Sequence, residues 1–245
     1  MSSSEVWDEA TAARYDGDAA EMFAPHVLGP TLDRLEELAD GGPVLELAIG
    51  TGRIGLALAQ RGLEVAGIEL SEPMVARLRA KPGGAALPVT VGDMASTRVA
   101  GEFSLVVLVW NTLSNLRTQE EQVACFANAA RHLRPGGRFV VEQWVPPIQR
   151  LLPGERVVPM SLDESHLVFD AYDVVSQQCT SHHYHHDTDG TVRHATGTFR
   201  YAWPSECDLM ARLAGLSLEH RWADWSRTPF TAESTDHVSV WRTAL

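Results

Sequence analysis

At 245 residues, with a formal net charge of −12 and a sequence pI near 5.2, the chain is long enough for one large α/β core, or a core carrying an insertion. The acidic balance counts against a nucleic-acid partner, because neutralising phosphates needs clustered Lys and Arg; no apolar run approaches the roughly 20 residues of a membrane span. Met1 to Ala13 carries neither a basic start nor a hydrophobic segment, so the chain reads as cytoplasmic; Cys125, Cys179 and Cys207 are too few and too scattered for a disulfide framework or zinc knuckle.

Residues 1–40 precede the sheet and have a helical pattern, with Leu28, Leu32, Leu35 and Leu38 on one stripe. From Pro43 onward strand-like runs alternate with helical ones. Val44 to Ala48 precedes a helix from about Arg53 to Arg61; Glu64 to Glu69 precedes one from Glu72 to Arg79. Val89 and Val91 mark a third strand, Leu105 to Val109 a fourth, Glu120 to Leu133 a helix, and Arg138 to Glu142 a fifth strand. Runs apolar on both faces in this order imply a parallel sheet covered by helices, with ligands at the carboxyl ends of its strands. "LRPGG", Leu133 to Gly137, is a helix stop before strand five.

Beyond Val145 the period changes to two. "HLVFDAYDVV", "QCTSHHYHHD" and "TVRHATGTFRYAW" predict three antiparallel strands inserted after strand five. A helix over Ser205 to Leu213 follows, with Pro204 before it and Gly215 at C′, then strands near Leu216 to Trp222 and His237 to Trp241. The expected organisation is therefore a helical segment over 1–40, a core over 41–145 and 204–245, and an insertion over 146–203.

"VLELAIGTGRIG", Val44 to Gly55, contains G-x-G-x-x-G at Gly50, Gly52 and Gly55, which by spacing alone fits a dinucleotide. A nicotinamide-dependent dehydrogenase would set a pyrophosphate on this loop and a ribose on Glu69. Glu46, at the strand end, would repel that pyrophosphate and favour a cation. S-adenosylmethionine carries a sulfonium and an ammonium, has a ribose for Glu69, and has no phosphate. Asp93, in "VGDM" after strand three, is placed to accept from an exocyclic amine while Met94 packs on a purine.

Together "LELAIGTGRIGLALAQRGLEVAGIELSEPMV", "VGDM" and "HLRPGGRFVVE" resemble a class I S-adenosylmethionine-dependent methyltransferase, of a small-molecule branch similar to amino-sugar N,N-dimethyltransferases and glycine N-methyltransferase. The resemblance implies a Rossmann-like seven-stranded sheet with an antiparallel final strand. It also implies a cofactor site formed by Tyr15, Glu46, Ala48, Gly50, Gly52, Glu69, Leu70, Asp93, Met94 and Val109, with Ala48 standing where the family usually has Gly. By the same resemblance residues 1–40 would form a helical cover over the cofactor, the insertion over 146–203 would shape the acceptor site, and Trp110, Asn111 and Trp144 would wall the acceptor. The expected reaction is methyl transfer to a small molecule, most readily an amine; the rivals are the dehydrogenase and a non-catalytic S-adenosylmethionine sensor or assembly protein.

His182, His183 and His185 are the candidates for a proton acceptor on the substrate side. No metal is expected: strand alternation puts His182 and His186 on one face and His183 and His185 on the other, so at most two of them and His194 converge.

Overall fold

The structure is a computed structural model that describes residues 7–187 and 189–244; the first six residues of the expected cover lie outside that range. Helix α1 (Glu9–Asp18) is capped by Asp8, whose side chain accepts from the Thr11 amide, and a short 3₁₀ turn leads to α2 (Pro25–Ala39). Then come β1 (Val44–Leu47), α3 (Gly55–Gln60), β2 (Val65–Glu69), α4 (Glu72–Ala80), β3 (Val89–Val91), β4 (Phe103–Leu108), α5 (Gln119–His132) and β5 (Leu133–Trp144). Helix α6 (Pro204–Leu213), β10 (Leu216–Trp222) and β11 (Asp236–Thr243) close the core. The sheet order is β10-β11-β5-β4-β1-β2-β3, parallel from β3 to β5, with β11 antiparallel to both neighbours.

Alternation along the strands explains the layers. Leu45 and Leu47 of β1 join Val106 and Leu108 of β4 under α5 and α6, where Phe126, Phe139 and Trp241 pack edge to face. Val44, Leu105 and Val107 turn the other way, under Leu32, Leu35 and Leu38 of α2, Leu58 of α3 and Leu78 of α4. With both faces covered, every residue of β1 and β4 is buried, including Glu46. Among the described residues no helix is long and apolar enough to cross a membrane.

The sequence reading and the structure differ most at strand β5 and in the insertion. Strand β5 already begins at Leu133, which pairs with Phe103; the next pair is Leu105 with Arg138, so "RPGG" is a bulge within the strand, with Gly136 at φ 73°. The insertion holds four strands, β6 (Val157–Leu162), β7 (His166–Asp173), β8 (Gln178–His186) and β9 (Val192–Arg200), all antiparallel in that order. The additional one, β6, contains Pro159, which cannot donate to a ladder; the strand tolerates it by lying at the sheet edge with a register shift between Pro159 and Ser161.

The insertion is tied to the core at its base. Arg200, at the end of β9, is buried, pairs with Glu206 of α6 at 2.8 Å and donates to Gln122 Oε1 of α5 at 2.5 Å, while Gln122 Nε2 donates back to the Arg200 carbonyl.

Candidate active site

The chain leaves β1 through a left-handed turn: Ala48, Gly50 and Gly52 have φ of 52°, 58° and 85°. Glycine carries this conformation freely, whereas Ala48 does so at a cost of roughly 1 to 2 kcal/mol. A Cβ on Gly52 would stand 2.8 Å from Leu56 Cδ1, so this glycine also permits α3 to pack closely.

Beneath the loop Glu46 is buried, and its Oε2 has no hydrogen-bond partner. Burial pushes its carboxyl up to about 8, with the nearby Glu69 adding to the effect and the Arg53 guanidinium and Gly55 amide opposing it. Glu69, at the end of β2, is also buried; its two oxygens accept from the Gly50 and Ser71 amides, each at 2.8 Å. Burial raises its pKa despite those amides. Asp93 follows β3 and accepts from the Ala95 amide at 2.7 Å.

After β4, Trp110 and Asn111 are consecutive non-glycine residues at φ 55° and 56°. Glu142 of β5 sustains this turn: its Oε2 accepts from the Trp110 amide at 2.8 Å, its Oε1 accepts from Trp225 Nε1 at 2.6 Å, and its carbonyl accepts from the Asn111 amide. The Asn111 side chain accepts from the Trp144 amide at 2.5 Å, and Arg53 lies over the Trp110 ring at 4.7 Å.

The N-terminal cover closes over these strand ends. Ser71 Oγ donates to the Trp7 carbonyl at 2.6 Å, Trp7 meets Tyr15 edge to face at 5.6 Å, and Asp16 links Thr51 and Lys81, each at 2.5 Å. Two small clefts result. One, of 40 Å³, is walled by residues that include Trp7, Glu69, Leu70, Asp93 and Met94; the other, of 60 Å³, by residues that include Trp7, Tyr15, Ala48, Gly50 and Glu69. Both adjoin a 320 Å³ cavity through Trp7, Thr112 and Asn115.

That larger cavity is aromatic: Trp7, Tyr15, Trp110, Trp144 and Phe199 wall it. The insertion contributes Asp170 and Ser181, paired across β7 and β8. Asp170 is buried; its Oδ2 is 3.4 Å from the Tyr172 hydroxyl, and its Oδ1 has no partner. Ser181 Oγ in turn meets His183 Nε2 at 3.1 Å.

Residues 44–137 match the family described as methyltransferase domain. Over 244 residues the chain is 30% identical to the cypemycin N-terminal methyltransferase of a Streptomyces species, covering 98% of each chain. It is 33% identical over 141 residues to the dTDP-3-amino-3,4,6-trideoxy-alpha-D-glucopyranose N,N-dimethyltransferase of Streptomyces venezuelae, covering 53% of this chain and 59% of that one. Among solved structures it superposes on the CcbJ methyltransferase of Streptomyces caelestis with a TM-score of 0.79 at 38% identity, over 89% of this chain and 90% of that one. The chain belongs to the class I S-adenosylmethionine-dependent methyltransferases.

The methyltransferase's own residues fit that cofactor. Glu46 is buried with one oxygen unpartnered beside the loop, and a cationic group entering there would stabilise its ionised form, as the methionyl end of this cofactor does; the family match itself removes the dehydrogenase reading. Of the residues expected at the cofactor, Tyr15, Ala48, Gly50, Glu69, Leu70, Asp93 and Met94 wall the two clefts, whereas Glu46, Gly52 and Val109 are buried beneath them. Trp110, Asn111 and Trp144 all wall the larger cavity.

The histidines separate. His182 projects from the opposite face of the inserted sheet, where it meets His194 at 3.2 Å; His185 stacks on His166 at 4.0 Å; only His183 touches a cavity-lining residue. Burial, then the neighbouring His166 and His185, lowers the pKa of His183; His185 is lowered by burial, His166 and Arg193. Sequence reading missed Trp7 and Asp170. Asp170 did leave a signal, an acid between Val168 and Tyr172 on one face of an otherwise apolar alternating run.

Proposed function

We infer that this methyltransferase N-methylates a small-molecule amine, and the unpartnered Oδ1 of Asp170 in the acceptor cavity carries that reading. A buried carboxylate oxygen without a donor is costly, and an ammonium or amine entering beside it removes the cost. A hydroxyl acceptor would also donate to it, but only an amine can both neutralise Asp170 as a cation and attack once neutral. The aromatic walls favour the same group, because ring faces attract cations.

S-adenosylmethionine supplies, when bound, a methyl group on a sulfonium that a neutral nucleophile can displace. Glu69 is placed to take its ribose hydroxyls, Asp93 and Met94 its base, and Glu46 with Gly50 and Gly52 the cationic methionyl end. Tyr15 and Trp7 exclude water from above, and Trp110, Asn111 and Trp144 hold the acceptor in line, which is where most of the acceleration arises. Asp170 receives the acceptor's proton, and Ser181, held by His183, orients the bound amine. The three histidines thus stand behind the site, with Asp170 in contact.

The test is a panel of labelled-cofactor assays with primary and secondary amino sugars, other small amines, a peptide bearing a free N-terminal amine, and the corresponding alcohols. Transfer to amines with none to matched alcohols supports the assignment; transfer to alcohols alone removes it.

A further inference from the structure

We propose that His166, His183 and His185 form a binding site for a divalent cation of the zinc class at the outer end of the acceptor-facing sheet face, with Ser181 as its outer partner. His166 and His185 are directly opposite on β7 and β8, and His183 is two residues along β8, so all three point from the same face. Their ligand nitrogens lie within 4.8 Å of one another, the one such three-residue group of His, Cys, Asp or Glu side chains among the described residues.

The geometry of the pair already in contact matches coordination. His166 Nε2 and His183 Nδ1 are 3.1 Å apart. Two imidazole nitrogens on a tetrahedral ion, each at about 2.0 to 2.1 Å, stand about 3.3 Å from each other. In the metal-free protein that contact holds a shared proton, and a cation takes its place. The half-buried His185 ring is stacked on His166 at 4.0 Å, with its ligand nitrogen within 4.8 Å of the other two, and a turn of that ring is what would complete the set.

One tautomer of His183 suits a ligand. His183 Nε2 is 3.1 Å from Ser181 Oγ, so with Nε2–H donating to the hydroxyl, Nδ1 presents its lone pair to the cluster. Ligating histidines characteristically donate their second nitrogen in this way, which orients the ring. Three imidazoles with no carboxylate select a borderline transition ion over magnesium or calcium, and leave a position open.

The location gives the ion a consequence. Rungs follow one another along β7 and β8: Asp170 with Ser181, Val168 with His183, His166 with His185. A cation on the last two rungs fixes His183, and His183 fixes the Ser181 hydroxyl on the cavity wall. Binding of the ion does not depend on which acceptor is methylated.

The test uses the full-length protein without a polyhistidine tag, stripped with chelator, desalted and titrated with zinc chloride against a chromophoric zinc indicator. One equivalent per chain is expected. His166→Gln and His183→Gln should each weaken it at least about tenfold, and Ser181→Ala should weaken it about tenfold while keeping one equivalent. His194→Gln, on the opposite face, should leave it unchanged. X-ray absorption on the zinc-loaded parent should show histidine nitrogens around the metal, a readout that needs no folded variant. No stoichiometric binding by the parent, sulfur ligands in the absorption spectrum, or loss of binding on His194→Gln but not on His166→Gln would overturn the site.

Discussion

Glu46 in the parallel sheet and Asp170 in the inserted sheet are both buried acids with one partnerless oxygen, yet they are built differently. Glu46 lies one residue from the end of a strand covered on both faces, beside a turn with left-handed conformations at Ala48, Gly50 and Gly52, and burial holds its pKa near 8. Asp170 lies mid-strand on a sheet with one face toward the cavity and the other toward solvent, where Val157, Leu162 and Val192 are at least half exposed. The clefts at the parallel strands are therefore shaped by strand ends and a left-handed glycine turn, whereas the inserted sheet presents side chains from one face to the larger cavity.

The severest way to break this contrast is Gly52→Val. Its Cβ would meet Leu56 and Leu78 at a φ of 85°, and branched side chains rarely adopt that conformation. Strain and overpacking together should cost about 3 to 5 kcal/mol, read as a fall in chemical-denaturation midpoint and loss of cofactor binding. Unaltered stability would mean the loop is not held by backbone conformation. Asp170→Asn should keep the fold and cofactor affinity while lowering kcat/KM about 100-fold, roughly 2.7 kcal/mol, for an amine acceptor. An equal loss of cofactor affinity would merge the two sides that the comparison separates.

Glu69→Ala should weaken S-adenosylmethionine binding by about 1 to 3 kcal/mol in calorimetry, the scale of charge-assisted hydrogen bonds, with native circular dichroism. Glu46 predicts a pH effect. Its folded pKa, about 8, exceeds the ordinary 4.5, so the folded state binds more protons between those values and the cofactor-free protein loses stability as pH rises through that window. Glu46→Gln should flatten this slope. Calorimetry of cofactor binding at pH 7 in buffers of different ionisation enthalpy should also show proton release in the parent and not in the variant. The smallest effect is expected of Ala48→Gly, which relieves a φ of 52° and should raise stability by about 1 kcal/mol; a fall would show that the Ala48 methyl group contributes packing that outweighs the strain.

The periodicities decided the larger part of the architecture. Apolar runs such as Leu105 to Val109 and helical patterns such as Glu120 to Leu133 carry their own signal, because a strand buried on both faces must be apolar throughout and a surface helix must have one apolar stripe. The position of Glu46, Gly50, Gly52, Glu69 and Asp93 at or near strand ends could be read for a related reason, because strand ends can be counted along the chain, and ligands of such sheets sit there. Strand β6 was hidden by Pro159, whose missing amide rules out a central strand but not an edge.

Only the tertiary structure could bring together Trp7, Asp170 and the histidine triad. Trp7 reaches the clefts through a hydrogen bond from Ser71, 64 residues away, and Asp170 is opposite Ser181 only because β7 and β8 adopt one register. A shift of one residue would put Asp170 and His183 on opposite faces of the sheet. The sequence by itself determined which residues could form strands, helices and their ends, since those are local properties of pattern and conformation. Register, and with it the acceptor cavity and the convergence of His166 with His183 and His185, belongs to the packing of distant segments, which no local pattern encodes.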